Sequence, residues 1–136
     1  MTVFADTFFY LALFNTRDAY HGRVLDFVAH FTGGVVTTQW VLTEVANACA
    51  GIPARRALRA RFGVLDADPG TRIVPASAEL FERGLWLYDA RPDKGWSLTD
   101  CLSFVVMADE GLTDALTGDR HFEQAGFRTL LAASSP

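Results

Sequence analysis

Short apolar runs, each only a few residues long, recur along this chain between longer segments of helical periodicity. Val3 to Ala5, Val35 to Thr37, Arg72 to Val74, the weaker Leu112 to Thr117 and Phe127 to Leu131 read as strands. A strand that must be followed by a helix before the next strand begins pairs in parallel, because a parallel return needs a crossover. The alternation therefore predicts an α/β layering with a mainly parallel central sheet. No repeat, low-complexity tract or linker divides the chain, so one domain over residues 1–136 is expected. Half of the residues are apolar, enough to bury a continuous core.

The helices are bounded by recognisable signals. Thr7 to Phe14 stops before the polar cluster Asn15-Thr16-Arg17. Asp18 can cap a second helix through about Phe31, whose Val24, Leu25, Phe27, Val28 and Phe31 keep helical spacing up to Gly33-Gly34. Thr38 can cap a helix from Gln39 to Ala50, with Gly51 as its stop. Pro53 suits the start of an arginine-rich helix that ends near Asp66-Ala67-Asp68-Pro69-Gly70. Ser77 opens a helix to Ala90, and Ser97 opens one that is apolar on nearly every side from Leu98 to Met107, and so is expected to be buried.

Four acids fall where this layout makes them conspicuous. Asp6 follows the first strand, at the carboxyl end where open parallel sheets bind ligands, and could equally cap the helix after it. Glu44 borders the apolar face of its helix made by Val41, Val45, Ala48 and Cys49, a position that also fits a solvated flank. Asp100 is the only acid in the first three turns of the most apolar helix, and Ser97-x-x-Asp100 has capping-box spacing. Asp119 follows Leu116-Thr117-Gly118 at the end of the weak strand, where a polar turn residue is the plain alternative. If these acids converge they need a cation: two carboxylates about 4 Å apart at an effective dielectric of 20 repel by roughly 4 kcal/mol. All-oxygen ligands select a hard ion, Mg²⁺ or Mn²⁺, over zinc.

The remaining chemistry-bearing residues carry weaker signals. A net charge of −4 argues against a surface that attracts nucleic acid by charge alone, so any RNA is expected to be held locally. Cys49 and Cys101, both in apolar surroundings, read as reduced core residues. His21, His30 and His121 lack metal-ligand spacing and read as ordinary surface or packing residues. Trp40, Trp86 and Trp96 read as core. Arg55, Arg56, Arg59 and Arg61 fit a solvated helix face or a contact with acidic protein better than an RNA rail, whereas Arg17, Arg91, Lys94 and Arg120 flank the acids in sequence. The apolar N-terminus has no basic segment ahead of it and carries Asp6, and no run approaches the roughly 20 residues of a membrane span, so a cytoplasmic protein with no membrane contact is expected.

Val3-Phe4-Ala5-Asp6-Thr7, Thr43-Glu44-Val45-Ala46-Asn47, Trp96-Ser97-Leu98-Thr99-Asp100-Cys101-Leu102-Ser103-Phe104 and Leu116-Thr117-Gly118-Asp119-Arg120-His121-Phe122 resemble, in order and spacing, four segments of the PIN-domain family. Within it the chain is similar to the VapC-like toxins of toxin–antitoxin pairs. The resemblance implies a PIN-like three-layer sandwich, helices on both faces of the sheet, with Asp6, Glu44, Asp100 and Asp119 at one pole as catalytic and metal-ligating residues. It implies Thr117 as a supporting hydroxyl, acting through a water or a neighbouring carboxylate, and Mg²⁺ or Mn²⁺ as cofactor. RNA as substrate, an antitoxin protein and a second copy of the chain as partners are expected on the same ground. Phe8 departs from the small or hydroxyl residue the family often carries after its Asp-Thr pair.

The activity so implied is endoribonucleolytic, a metal-dependent in-line hydrolysis of a phosphodiester leaving a 5′-phosphate and a 3′-hydroxyl. In that reading Asp6 and Asp100 hold the principal ion, and Glu44 and Asp119 hold or orient a second ion and the attacking water. The alternative is a non-catalytic PIN-like protein-binding module whose acids serve only as caps and polar edges. An aspartate-nucleophile phosphatase would need an acid where Phe8 stands.

Overall fold

A computed structural model describes residues 1–132. Its five strands are β1 (Thr2–Ala5), β2 (Gly34–Thr38), β3 (Thr71–Val74), β4 (Asp114–Leu116) and β5 (Arg128–Thr129). They form one sheet in the order β3-β2-β1-β4-β5, and every neighbouring pair is parallel. The first strand of the sequence thus takes the centre. Val3, Phe4 and Ala5 are fully buried, which is why this run carries no polar alternation. The last two strands are shorter than the sequence suggests: Leu112 and Thr113 lie ahead of β4, and only Arg128 and Thr129 of the Phe127–Leu131 run pair with it. β5, the edge strand on that side, is only two residues long and leaves little backbone for a further chain to pair with.

Strand order reverses at β1: β2 and β3 are added on one side, β4 and β5 on the other. Right-handed crossovers running in opposite directions place helices on opposite faces, giving the three layers. The crevice left between β1 and β4 opens at the carboxyl ends of the strands.

Among the described residues seven helices fill the connections: α1 (Thr7–Phe14), α2 (His21–His30), α3 (Gln39–Ala48), α4 (Ala54–Ala67), α5 (Ala78–Ala90), α6 (Leu98–Asp109) and α7 (Arg120–Gln124). Their caps follow the residues that signalled them. The Thr38 hydroxyl accepts the Val41 N–H at 3.1 Å and Ser77 accepts the Leu80 N–H at 3.2 Å. Asp18 does not cap α2. It accepts the Tyr20 N–H at 2.8 Å, closing a local turn two residues long, and the helix starts only at His21.

An aromatic chain runs from the central strand outward through Phe4, Phe122, Phe104 and Trp96, with ring centroids 6.3, 4.9 and 5.0 Å apart in turn. It fastens the amino ends of α6 and α7 beside β1, so the core fixes the geometry of the pole where those helices begin. On the far side of α6, Gly84 lets α5 approach closely: a Cβ there would sit 2.4 Å from Leu102 Cδ2. Trp96 is buried and Trp40 half-buried, but Trp86 is 73% exposed on α5, which corrects its reading as core. It lines an open groove with Arg83 and Leu87 of α5 and Val105 of α6.

Candidate active site

The register between the two central strands builds the site. Ala5 pairs with Leu116, so the residues that follow each, Asp6 and Thr117, emerge side by side at the carboxyl edge. Asp6 is 5% exposed and Thr117 fully buried. The Thr117 hydroxyl donates to Asp6 Oδ2 at 3.1 Å and accepts the Asp119 N–H at 3.0 Å. One hydroxyl therefore ties the acid of β1 to the loop after β4.

Asp100 and Asp119 arrive on the first residues of helices. Ser97 and Asp100 make the full capping box: Asp100 N–H to Ser97 Oγ at 3.0 Å and Ser97 N–H to Asp100 Oδ2 at 3.1 Å. Asp119 caps α7, its Oδ1 accepting the His121 N–H at 2.9 Å. Both acids thus serve as caps, and each does so with a single oxygen. Asp100 Oδ1 and Asp119 Oδ2 take no part in those bonds, so capping leaves each acid an oxygen for another task.

His121 was not legible as part of this pole, and its place there corrects the reading of an ordinary surface residue. Its Nδ1 lies 3.0 Å from Asp100 Oδ2 and 3.6 Å from Asp119 Oδ1. Among the described residues, Asp100, Asp119 and His121 form a group whose donor atoms all fall within 4.8 Å of one another. The signal in the sequence is positional: a residue two beyond a helix-capping acid lies on the same first turn and can turn back toward it. His21 and His30 stay ordinary, each bonding a backbone oxygen, of Ala12 and Asp26 respectively.

Burial pushes the Asp6 carboxyl up to about 7; the Thr7 backbone N–H opposes this, the Asp100 charge adds to it, the Thr117 hydroxyl opposes it and the Glu44 charge adds again. Glu44 is half-buried on α3, which packs against α6. The structure brings it within electrostatic reach of Asp6, not into the closest group. A buried acid raised by two like charges, beside a group of two carboxylates and an imidazole, is a donor set that fits a divalent cation.

The surroundings restrict what else this pole can do. Burial, aided by the Asp100 charge, pushes the Cys101 thiol up to about 11, so this free cysteine is an inert core residue; Cys49 is also free. Phe8 lies beneath the Thr117–Asp119 loop, where a Cβ on Gly118 would meet its Cζ at 2.6 Å, and its ring meets Tyr20 edge-on at 4.8 Å. Arg120 is exposed directly beside Asp119. Arg91 is held by Asp93 at 3.1 Å and lies over the Trp96 ring, and Arg61 of α4 reaches the Phe14 carbonyl at 2.7 Å, where it meets the negative end of α1. Arg61 therefore docks α4 on α1 and leaves the exposed arginine face to Arg55, Arg56 and Arg59.

Comparison with known proteins gives consistent results. The PIN domain family matches residues 3–128. The chain is 32% identical over 130 residues to the 23S rRNA-specific endonuclease VapC20 of Mycobacterium tuberculosis, covering 92% of this chain and 95% of that protein. The crystal structure of Mycobacterium tuberculosis VapC20, described as a sarcin-ricin loop cleaving toxin, superposes with a TM-score of 0.83 at 29% identity, covering 92% of this chain and 95% of the other. VapBC2 from Rickettsia felis, solved bound to a DNA fragment from its promoter, shares the fold at a TM-score of 0.64 and 15% identity, covering 91% of this chain and 92% of that one.

Proposed function

The chain belongs to the PIN domain family, and from that membership and the geometry of its acidic pole we propose that it is a divalent-metal-dependent endoribonuclease, the toxin of a toxin–antitoxin pair. The observation that carries the reading is the chain of bonds joining Asp6, Thr117, Asp119, His121 and Asp100 at the switch point of a parallel sheet. Acids kept only as caps would not need a buried Asp6 held beside Asp100 and Glu44 against the repulsion this causes.

Asp6 and Asp100 are assigned to the principal Mg²⁺ or Mn²⁺, with Glu44 and Asp119 holding or orienting a second ion and the attacking water. Such an ion, when bound, supplies activation of water and neutralisation of phosphate charge. Thr117 sets the orientation of the Asp6 carboxylate, and the capping box holds Asp100 against the rotation its side chain would otherwise have. Arg120, and Arg17 and Lys94 nearby in sequence to the other acids, are the candidates for phosphate contact, where charge compensates for the negative pole. The substrate is RNA, and a ribosomal stem-loop is the first to test, given what VapC20 is named for.

An antitoxin and a second copy of the chain are the proposed partners. Leu25 and Val28 on α2 and Val64 on α4 are large apolar side chains left exposed, 47%, 48% and 70% respectively, and support a covered surface there. Among the described residues no helix is long and apolar enough to cross a membrane.

The test is cleavage of end-labelled RNA by tag-free protein. Activity is expected to vanish in EDTA, to return with Mn²⁺ or Mg²⁺, to leave 5′-phosphates, and to fall at least about a hundredfold in Asp100→Asn. Undiminished cleavage by that variant in a clean preparation overturns the proposal.

A further inference from the structure

We propose that His121 supplies a nitrogen donor, through Nδ1, to the divalent ion assigned to Asp100 and Asp119, and so biases the site toward Mn²⁺ over Mg²⁺. The inference rests on the nuclease reading above and concerns a residue that reading does not require. Ions of this size bind ligands at about 2.1 Å, so two neighbouring donors on an octahedral ion lie about 3.0 Å apart. His121 Nδ1 and Asp100 Oδ2 are 3.0 Å apart, and Nδ1 and Asp119 Oδ1 are 3.6 Å apart. All three residues offer a donor within 4.8 Å. Both oxygens also accept a cap N–H, and a carboxylate oxygen has a second lone pair for an ion, so the three residues are already spaced nearly as one face of a coordination shell.

The ring is held in that position by backbone. The His121 N–H is bonded to Asp119 Oδ1 at 2.9 Å, and Phe122, the next residue, is fully buried against Phe4 and Phe104. The first turn of α7 therefore fixes where the imidazole can go. Coordination through Nδ1 uses the tautomer whose ring proton sits on Nε2, so that the Nδ1 lone pair faces the ion. Mg²⁺ prefers oxygen, whereas imidazole favours the transition ions, so one nitrogen in an otherwise carboxylate site separates Mn²⁺ from Mg²⁺.

The decisive measurement is pulsed electron paramagnetic resonance of Mn²⁺ bound to tag-free, RNA-free protein, joined to calorimetric titration with Mn²⁺ and Mg²⁺ separately. A ¹⁴N coupling in the wild type that disappears in His121→Gln, with Mn²⁺ still bound through the carboxylates, is the expected result. Mn²⁺ affinity should fall about tenfold in that variant while Mg²⁺ affinity changes less than about twofold. Bound Mn²⁺ without nitrogen coupling in the wild type overturns the inference and leaves the nuclease reading intact, with His121 then only positioning Asp100. Failure of the wild type to bind either ion overturns the reading beneath it. Because the wild-type spectrum alone decides the first question, a variant that folds poorly does not obscure it.

Discussion

Asp6→Asn should abolish cleavage while making the metal-free protein more stable at neutral and alkaline pH. In the folded protein burial pushes the Asp6 carboxyl up from 3.8 to about 7. A folded value above the unfolded one means that the folded state holds the proton more tightly. Stability is then full below about pH 4, falls as pH rises through the window up to about 7, and levels off above it. The difference corresponds to about 4 kcal/mol in all, of which roughly 2 to 3 kcal/mol falls between pH 5 and pH 8. Asparagine has the same shape, can still accept the Thr117 hydroxyl and carries no charge, so the variant should lack this slope. Denaturant unfolding of both proteins in EDTA at pH 5 and pH 8 measures it: the wild type should lose roughly 2 to 3 kcal/mol more than the variant between the two. Added Mg²⁺ should flatten the wild-type slope, because a bound cation removes the cost of ionising Asp6. Parallel pH dependences for the two proteins in EDTA would refute the claim that Asp6 is buried at the expense of stability.

Asp100→Asn keeps an oxygen for the Ser97 N–H, so its unfolding free energy should change by less than about 1 kcal/mol while RNA cleavage is lost, which separates the cap from the chemistry in one variant. Gly84→Ala drives a methyl to 2.4 Å from Leu102 Cδ2 and should cost about 1 to 3 kcal/mol by forcing α5 off α6, read as a fall in the melting temperature with the metal affinity retained. Gly118→Ala places a methyl 2.6 Å from Phe8 Cζ, so the ring must move; a loss of about 1 kcal/mol and slower cleavage are expected, and Phe8→Leu in the same chain should recover the stability. Failure of the second substitution to recover it would show that the two side chains are not coupled through the loop.

The fold was legible where a single physical cause acts over a short stretch. The apolar run at Val3–Ala5 reads as a central strand because a strand buried on both faces needs no polar alternation, and the structure places it between β2 and β4. Ser97 and Asp100 read as a capping box because that motif is local, and they make one. Elements whose extent depends on distant partners were read less well. β5 pairs over two residues where the sequence suggests five, and beyond it the Leu130 and Leu131 N–H groups bond the Ala115 and Thr117 carbonyls without extending the ladder. Asp18 reads as a helix cap because sequence alone does not distinguish a side chain that accepts the N–H two residues on within a turn from one that accepts within a helix. Trp86 reads as core because a large aromatic is more often buried than exposed, and only the way α5 lies on α6 shows that it stays open to solvent.

The site divides along the same line. Asp6 and Thr117 are 111 residues apart, yet both could be placed at a strand's carboxyl end; their hydrogen bond follows from the register Ala5↔Leu116, which sequence does not state. Asp114 shows why an acid on a buried strand is not enough. It is 8% exposed on β4 like a site residue, but it stands at the amino end of the strand, where Arg128 meets it at 2.7 Å and Thr113 donates to it at 3.2 Å. An acid paired with an arginine at that edge ties β5 to β4; an acid with a hydroxyl, a backbone N–H and like charges around it but no cationic side chain, at the opposite edge, calls for a cation. Position along the strand and the sign of the neighbours together separate the two roles. The same two criteria bring His121 into the pole, since it sits at the carboxyl edge with two carboxylates as its nearest polar neighbours, whereas His21 and His30 face backbone carbonyls.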